Sequence, residues 1–492
     1  MAELRIGIDV GGTNTDAVAL DENDRVVAKA KRPTTQDVTG GIRAALQAID
    51  IPVENVTRVM LGTTHATNAI LERRNLGKVA VLRLGAPATT SVPPLSDWPD
   101  DLRKRVSAGE AIVPGGFFVD GRPISPLDPD AVKRFLAHVT ADAVAVTGVF
   151  SPAGNDQELE VAELIRAECG LPVSLSHELG PLGLLERENA TVLNAALYGV
   201  AAQIVEALVT TVKERGISAR PYIAQNDGTL MTVEQAARLP VATIGSGPAN
   251  SLRGAALLSG RGDAIVIDVG GTSTDLGVLV GGFPRESAAA VEIGGVLTNF
   301  RMPDILSIAL GGGTVVRGTR LGPDSVGFRI TEEALVFGGT TLTLTDVAVA
   351  AGRTPDSGWR VSAPTEALAV ADTMIAEAVD RMALGRTRPE LVVVGGGAFL
   401  VEGERPEHAE VANAVGAAIA LASGRVDTIL PAGESRSKAI ERAKEEAAAK
   451  AVAAGADPTL VEIVDLQEVP MAYLSEPAVR LNVKAAGPLA RH

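Results

Sequence analysis

The sequence predicts an α/β protein built of two related halves, and three observations lead to this fold class. At 492 residues the chain exceeds one ordinary core, because a domain takes about 150 residues, so two to four domains are expected. Hydrophobic residues make up 46% and aromatic residues only 3%, a composition that suits cores of small side chains between α/β layers. A long internal repeat then divides the chain into two comparable parts.

The repeat carries the main argument. Residues 5–20 read RIGIDVGGTNTDAVAL, and residues 264–279 read AIVIDVGGTSTDLGVL. At a constant offset of 259 residues, ten of the sixteen positions are identical. The identical pairs are Ile6/Ile265, Ile8/Ile267, Asp9/Asp268, Val10/Val269, Gly11/Gly270, Gly12/Gly271, Thr13/Thr272, Thr15/Thr274, Asp16/Asp275 and Leu20/Leu279.

Each copy predicts a β-hairpin that closes with a glycine turn. The apolar run before the first aspartate reads as a buried strand, and the residues after TD alternate as a second one. Adjacent glycines let the backbone approach a bulky anion, and successive N–H groups and threonine hydroxyls can donate to phosphate oxygens. A pair of purely structural hairpins is the alternative. The predicted phosphate-binding residues are Gly11, Gly12, Thr13, Thr15 and Asp16, with Gly270, Gly271, Thr272, Thr274 and Asp275.

The aspartates of the two loops divide into two roles. Asp9 and Asp268 open the loops and cannot bond phosphate directly, because like charges repel. Their expected role is catalytic, as holders of Mg²⁺ through water, because Mg²⁺ keeps most of its hydration and takes one or two carboxylates. Asp16 and Asp275 lie at the far end of each hairpin, where they orient the loop or a water, and structural roles are favoured.

The doubled DxGGT hairpins resemble the phosphate loops of the actin/hexokinase/Hsp70 superfamily, in which two halves close on ATP. The longer form DVGGT-x-TD looks like the hydantoinase/oxoprolinase A family. Further segments resemble that family in order and spacing. They are LGTTHATNAILER (61–73), SHELG and ERENATVLNAAL (within 172–197), IGSGPANSLRGAA (244–256), the glycine run in 309–315 and TLTDVAVAAG (343–352).

The sequence also departs from the family pattern. Asn14 stands where the family has phenylalanine, and LGPDSVG (321–327) stands for a cysteine-containing block. Residues 225–229, QNDGT, replace an SNGG-like turn, and the chain is shorter than usual A subunits. These differences leave the ATP-binding segments intact and concern the substrate.

The resemblance implies two actin/hexokinase-like (ribonuclease H-like) halves around an ATP cleft. We expect the first half over residues 1–215, with an insertion near 86–130 where Pro, Gly and Trp98 cluster. The second half is expected over 216–434, and residues 435–492 form a small C-terminal α+β segment. That segment is either an appended unit or the final layer of the second half. A single long helix is expected at about 186–213.

The segment GTTHATN follows a predicted strand, and its glycine-threonine turn is expected to face the cleft. We expect Thr63, Thr64 and Asn68 to contact substrate and His65 to contact substrate or transfer a proton. The alternative for His65 is a hydrogen-bonded turn histidine.

Several other features have two interpretations each. Gly395, Gly396 and Gly397 follow an apolar strand, and they resemble the superfamily's adenosine contact or form a tight strand-to-helix turn. Residues 245–248, GSGP, precede a helix and either bind an anion or make a structural turn. His177 lacks a second histidine at metal-ligand spacing, which disfavours a metal site. The one cysteine, Cys169, rules out an internal disulfide and is expected to be buried.

Function follows from the loops and the resemblance together. The family's scheme implies transfer of the γ-phosphate of ATP to a cyclic amide or imide oxygen of a hydantoin, 5-oxoproline or lactam, with Mg²⁺, followed by ring opening. A B-type hydantoinase subunit and a homo- or hetero-oligomer are expected by resemblance only. The net charge of −15 disfavours nucleic-acid and membrane partners, and the N-terminus lacks a secretory pattern, so a cytoplasmic protein is expected.

Three other functions stay open. They are a subunit of an ATP-dependent carboxylase that acts on a ketone, a small-molecule kinase of the same superfamily, and a non-catalytic ATP-switched scaffold. The GTT-x-x-TNA segment argues against the kinase. No G-x-S-x-G, HExxH or Walker A sequence occurs, so serine hydrolases, zincins and P-loop enzymes lack support.

Overall fold

The first elements form a β-meander with one parallel strand beside it. The computed structural model describes residues 3–12, 14–34, 38–180, 182–287, 290–353, 358–383, 390–430, 435–471 and 478–490. The predicted hairpin is present, with its first strand antiparallel to the second, and the fourth strand joins the first in parallel. The elements are β1 (Leu4–Val10), β2 (Asn14–Leu20), β3 (Val26–Pro33), α1 (Val38–Ala48), β4 (Val56–Thr63) and α2 (His65–Leu71).

An inserted unit follows, with a sheet of its own. Its four strands are all parallel, in the order β6-β5-β7-β8. The apolar side chains on one face form a separate core, whereas those on the other face join the core of the first sheet. The predicted insertion near 86–130 lies inside this unit. Its elements are β5 (Val79–Ala86), α3 (Asp100–Val106), β6 (Ser107–Pro114), α4 (Pro129–Leu136), β7 (Ala143–Gly148), α5 (Asp156–Glu168), β8 (Val173–Leu175) and α6 (Leu184–Ala196).

The prediction of one long helix at 186–213 is wrong, because the segment holds two helices. The second, α7 (Tyr198–Glu214), is bent by 50° from α6. The backbone N–H of Gly77 donates to the Ala196 carbonyl at 2.8 Å, so a bond from outside the helix forms where it ends.

Within the described residues no single helix is long and apolar enough to cross a membrane; α6 and α7 reach that length and composition only as a bent pair. Cys169 is the C-cap residue that follows α5, and it is exposed, contrary to the expected burial, with its Sγ 3.3 Å from the Ile165 carbonyl oxygen.

The next segment returns to the first sheet and then crosses to the second half. Strand β9 (Arg220–Ala224) pairs with β4 in parallel, and β10 (Leu230–Thr232) is antiparallel to β9. Helix α8 (Val233–Arg238) starts in a capping box, in which the Thr232 hydroxyl accepts from the Gln235 N–H. Helix α9 (Ser246–Ser259) then leads to the second copy of the repeat.

The second half repeats the arrangement of the first. Strand β11 is antiparallel to β12 and parallel to β19, as β1 is to β2 and β4, so the prediction of two related halves is confirmed. Its elements are β11 (Ala264–Val269), β12 (Thr274–Val280), β13 (Phe283–Pro284), β14 (Val291–Ile293), β15 (Val296–Thr298), β16 (Ile305–Ile308), β17 (Thr314–Arg317), β18 (Arg320–Ser325), α10 (Ile330–Glu333), α11 (Leu344–Ala350), α12 (Ala367–Met382), β19 (Leu391–Val394) and α13 (Ala412–Ile419).

The C-terminal residues complete the sheet that holds β1. They form β20 (Ala422–Leu430), α14 (Arg436–Ala453), β21 (Glu462–Met471) and β22 (Ala478–Gly487). The nine-stranded sheet has the order β21-β22-β20-β10-β9-β4-β1-β2-β3. Strand pairing therefore runs across the boundaries expected at 215 and 434, which stay predictions.

Helices α9 and α13 cross in very close contact between the halves. A Cβ on Gly254 of α9 would lie 1.8 Å from the Ala412 carbonyl oxygen of α13. In return, a Cβ on Gly416 would lie 1.8 Å from the Asn250 carbonyl oxygen. Only glycine lets two helix backbones approach this closely, so the crossing is fixed by these two positions.

Candidate functional site

The first loop places a buried carboxylate at the end of β1. Asp9 lies opposite Asp16 across the hairpin, and the Gly11 N–H closes the turn on the Asn14 carbonyl at 3.0 Å. Asp9 Oδ2 accepts a hydrogen bond from Asn413 Nδ2 at 2.8 Å, whereas Oδ1 has no partner among the described residues. Burial, with the nearby charges of Asp16 and Asp268, raises the pKa of Asp9 to about 7.

The second loop has the same geometry. Asp268 lies opposite Asp275, and the Gly270 N–H closes the turn on the Ser273 carbonyl at 2.9 Å. The Ser251 hydroxyl donates to Asp268 Oδ2 at 2.5 Å. Burial raises the pKa of Asp268 to about 6, and the charge of Asp275 acts in the same direction.

The two loops form one electrostatic site. The charge of Asp268 helps to raise the pKa of Asp9, although 259 residues separate them in the sequence. Lys31 lies beside the first loop, with its Nζ 2.7 Å from Asp16 Oδ1. In the described part of the chain no three or more metal-binding side chains come together.

The predicted phosphate-binding residues divide into exposed tips and buried bases. Gly12 and Thr272 are exposed at the loop tips, Gly11, Gly270 and Gly271 are partly buried, and Thr13 lies outside the described residues. Thr15 and Thr274 are fully buried. The Thr15 hydroxyl lies 3.3 Å from Thr34 Oγ1, and the Thr274 hydroxyl donates to the Leu310 carbonyl at 2.5 Å. Asp275 accepts from Ser307 at 2.5 Å.

Two glycine runs support the second loop. Gly312 and Gly313 donate backbone N–H groups to the carbonyls of Gly270 and Gly271 at 3.0 and 2.7 Å. The Gly397 N–H donates to the Val269 carbonyl at 2.8 Å.

The predicted adenosine segment meets the same loop from the other side. Gly395 has a φ of +90°, and a Cβ there would lie 2.3 Å from Asp268 Oδ1. Gly396 is exposed, with no atom within 4 Å of an added Cβ, so this run presents open backbone beside the second aspartate.

The segment 62–68 contacts the first loop directly. Because β4 pairs with β1, Thr63 lies beside Val10, and the Thr64 N–H donates to the Val10 carbonyl at 3.2 Å. His65 Nδ1 lies 2.8 Å from Thr63 Oγ1, and burial lowers the pKa of His65. Asn68 Nδ2 lies 3.5 Å from Thr64 Oγ1, so the four side chains form two hydrogen-bonded pairs.

Helix α9 joins this segment to the second aspartate. The Ser246 hydroxyl donates to the Thr63 carbonyl at 3.1 Å, which gives residues 245–248 a structural role, and Ser251 holds Asp268. His177 Nδ1 lies 2.6 Å from Glu158 Oε2.

Four residues of the site were not identified from the sequence: Lys31, Asn250, Ser251 and Asn413. Asn413 is a single amide in the small-residue helix ANAVGAAI, and Asn250 and Ser251 are polar residues within a mainly apolar helix. A polar residue among apolar ones on a helix is the sequence feature that could have indicated these positions.

Comparison with known proteins agrees with this geometry. Residues 5–169 match the hydantoinase/oxoprolinase N-terminal region, and residues 187–386 match the hydantoinase/oxoprolinase family. The caprolactamase alpha subunit of Pseudomonas jessenii is 28% identical over 72% of this chain and 55% of its own length. The acetophenone carboxylase gamma subunit of Aromatoleum aromaticum is 27% identical over 70% and 53%. The chain thus matches about half the length of these relatives.

Solved structures show the same fold. The ATP-dependent caprolactamase from Pseudomonas jessenii aligns over 99% of this chain and 88% of its own, with a TM-score of 0.74 and 20% identity. A nucleotide-free acetone carboxylase aligns over 100% and 89%, with a TM-score of 0.68 and 16% identity. The fold is the doubled actin/hexokinase-like α/β fold, and the chain belongs to the hydantoinase/oxoprolinase family.

Proposed function

We propose that this chain is the ATP-using subunit of a cyclic amide hydrolase. The observation that carries the proposal is the pairing of two equivalent loops whose first aspartates, Asp9 and Asp268, share one electrostatic site. Family membership and the resemblance to caprolactamase support the choice of a cyclic amide.

ATP would bind with its β- and γ-phosphates between the loop tips. The exposed backbone at Gly12 and Thr272 supplies N–H donors there, and the open backbone of Gly396 is where we place the adenosine. The hydroxyls of Thr15 and Thr274 are buried and already bonded within the protein, so we propose that these residues hold the loops in place and do not contact phosphate.

Mg²⁺ fits the donor set between Asp9 and Asp268. Both carboxyls are held above their ordinary pKa, and Asp9 Oδ1 has no hydrogen-bond partner in the described chain. A divalent cation would stabilise the ionised carboxylates, and when bound it neutralises charge on the transferring phosphoryl group.

The reaction begins with transfer of the γ-phosphoryl group to the amide oxygen. The bond between the γ-phosphorus and the β,γ-bridging oxygen breaks, ADP leaves, and an O-phosphorylated imidate forms. Water then adds to the imidate carbon, and the ring C–N bond breaks to release the amine and leave an acyl phosphate. A second water hydrolyses the acyl phosphate to the carboxylate and inorganic phosphate. Because burial lowers its pKa, His65 is neutral near pH 7 and is suited to accept a proton at the substrate.

A second subunit is part of the proposal. Relatives are named as alpha, beta or gamma subunits, and the match spans about half of their length. We place ring opening with a B-type partner and phosphorylation on this chain.

An ATP-dependent carboxylase is the second candidate, because the acetophenone carboxylase gamma subunit matches as closely in sequence as caprolactamase alpha does. Phosphorylation of a ketone enol or of bicarbonate would use the same loops. A small-molecule kinase and an ATP-switched scaffold remain as further alternatives.

The test measures ADP release with MgATP across hydantoins, 5-oxoproline, lactams and aryl ketones with bicarbonate, with and without a candidate B subunit. Asp9→Asn and Asp268→Asn are compared with Asp100→Asn, an exposed residue in the first turn of α3. We expect substrate-stimulated release that both loop variants abolish and the control retains. If ATP neither binds nor turns over under any condition, the enzyme proposal fails.

A further inference from the structure

Lys31 lies at one end of a row of residues that crosses the first sheet. Asp9 on β1 is paired with Asp16 on β2, and Asp16 is paired with Lys31 on β3. On the other side of β1, Asp9 is paired with Gly62 on β4. Residues paired directly across neighbouring strands project from the same face of a sheet, so the row lies on the face that carries Asp9.

The ammonium group of Lys31 is held at the site and keeps a donor for a ligand. Its Nζ lies 2.7 Å from Asp16 Oδ1 and donates to Asp16 Oδ2 at 2.9 Å. An ammonium group has three N–H donors, so these two contacts leave at least one. The Lys31 side chain is 35% exposed, whereas that of Asp16 is 5% exposed, so the lysine is the member of the pair that a ligand can reach.

The charge of Lys31 acts on both halves of the protein. Burial raises the pKa of Asp9 and that of Asp268, and the charge of Lys31 opposes this at both carboxyls. Because Asp268 belongs to the second half, the ammonium group lies close enough to the cleft to act across it. In the second half a neutral side chain takes the equivalent position, since Asp275 on β12 is paired with Ser307 on β16.

Contacts of β3 place Lys31 on the side of the cleft where we put the adenosine. Lys29, two positions earlier on the same strand, has its Nζ 2.5 Å from Glu410 Oε1. The neighbouring Ala409 carbonyl accepts a hydrogen bond from the Gly395 N–H at 2.9 Å. Strand β3 therefore lies beside the glycine run 395–397.

We propose that Lys31 binds the β-phosphate of the nucleotide and stabilises the charge that ADP gains as the γ-phosphoryl group leaves. This inference rests on the proposed function, which places the phosphates between the loops and the adenosine at Gly396. When the bond to the γ-phosphorus breaks, the β,γ-bridging oxygen keeps the electron pair, and a cation beside the β-phosphate stabilises it.

The two ends of the row suit the two sides of the transferred group. The segment that contains His65 follows β4, at the opposite end of the row from Lys31. In-line transfer needs the leaving ADP and the attacking oxygen on opposite sides of the γ-phosphorus. Lys31 would thus face the leaving group, and the His65 segment would face the substrate.

Calorimetry of AMP, ADP and a non-hydrolysable ATP analogue with Lys31→Met tests the inference, with Mg²⁺ and with EDTA. Affinity for ADP and for the ATP analogue should fall about ten- to hundredfold in both conditions, the range for a lost hydrogen bond between charged groups. Affinity for AMP, which has no β-phosphate, should stay close to that of the unmodified chain. Lys31→Arg, which keeps the charge, should retain most of the ADP affinity.

The matched control is Lys29→Met, on the same strand and the same face, with Glu410 as its partner. It should bind all three nucleotides as the unmodified chain does. If Lys31→Met does not fold, Lys31→Gln replaces it, because its amide can still donate to Asp16 without the charge, and the same order of losses is expected.

Three results would overturn the inference and leave the proposed function standing. They are a loss for the ATP analogue alone, which would assign the lysine to the γ-phosphate, equal losses for all three nucleotides, which would indicate a structural role, and unchanged affinity for ADP. An unmodified chain that binds neither ADP nor the ATP analogue, even with Mg²⁺, would remove both the inference and the proposed function.

Discussion

Replacing Gly254 by alanine should disturb the crossing of α9 and α13 and, through it, both loop aspartates. The added Cβ would lie 1.8 Å from the Ala412 carbonyl oxygen and 2.6 Å from its carbon, both backbone atoms of the facing helix. No side-chain rotation relieves this clash, so the helices themselves must move apart.

The size of the effect follows from that distance. Ordinary contact begins at 3.4 Å, so the helices must separate by about 1.6 Å. Overpacking of this kind costs about 1–3 kcal/mol, offset in part by the roughly 0.5–1 kcal/mol that alanine gains over glycine in a helix. Because α9 carries Ser251 and α13 carries Asn413, a shift of about 1 Å at the aspartates should lower turnover about 100-fold.

Urea unfolding followed by circular dichroism and the ATP turnover assay measure the two effects. The matched control is Gly199→Ala in the first turn of α7, where an added Cβ meets no atom within 4 Å. This control should keep full activity and equal or slightly higher stability. If Gly254→Ala behaved like Gly199→Ala in both assays, the close crossing and its link to the aspartates would be refuted.

Two further predictions concern the inserted unit. Arg83 and Glu188 form a fully buried ion pair at 2.6 Å. Arg83→Met leaves the Glu188 carboxylate buried without its partner and should lower the free energy of unfolding by about 3–5 kcal/mol, and adding Glu188→Leu should recover most of that loss. Equal losses in the single and the double variant, measured by urea unfolding, would contradict this. Burial favours the neutral form of Glu158, but its bonds from His177 and other donors outweigh this and hold its pKa below the usual range. The stabilisation from ionised Glu158 is therefore present above about pH 4.3 and is lost as pH falls further. In Glu158→Gln the melting temperature should fall less steeply at acid pH than in the unmodified chain. Equal slopes of melting temperature against pH in the two proteins would argue against this.

The sequence was sufficient to predict the two hairpins and the equivalence of Asp9 and Asp268. A strand, a glycine turn and a second strand are neighbours along the chain, so local apolar alternation and turn residues determine them. Local spacing also explains the ion pair on α14, where Glu446 and Lys450 lie 2.8 Å apart because side chains four residues apart meet on a helix surface.

Only the tertiary structure decided what surrounds those aspartates. Asn413 reaches Asp9 across 404 positions, and the bend between α6 and α7 coincides with a bond from Gly77 that no helical pattern in residues 186–213 contains. The C-terminal strands likewise join the sheet of β1, which their own alternation does not specify. Local propensity fixes the period of each element, whereas the choice of packing partners depends on shape and on polar groups satisfied across long separations, and these exist only once the chain is folded.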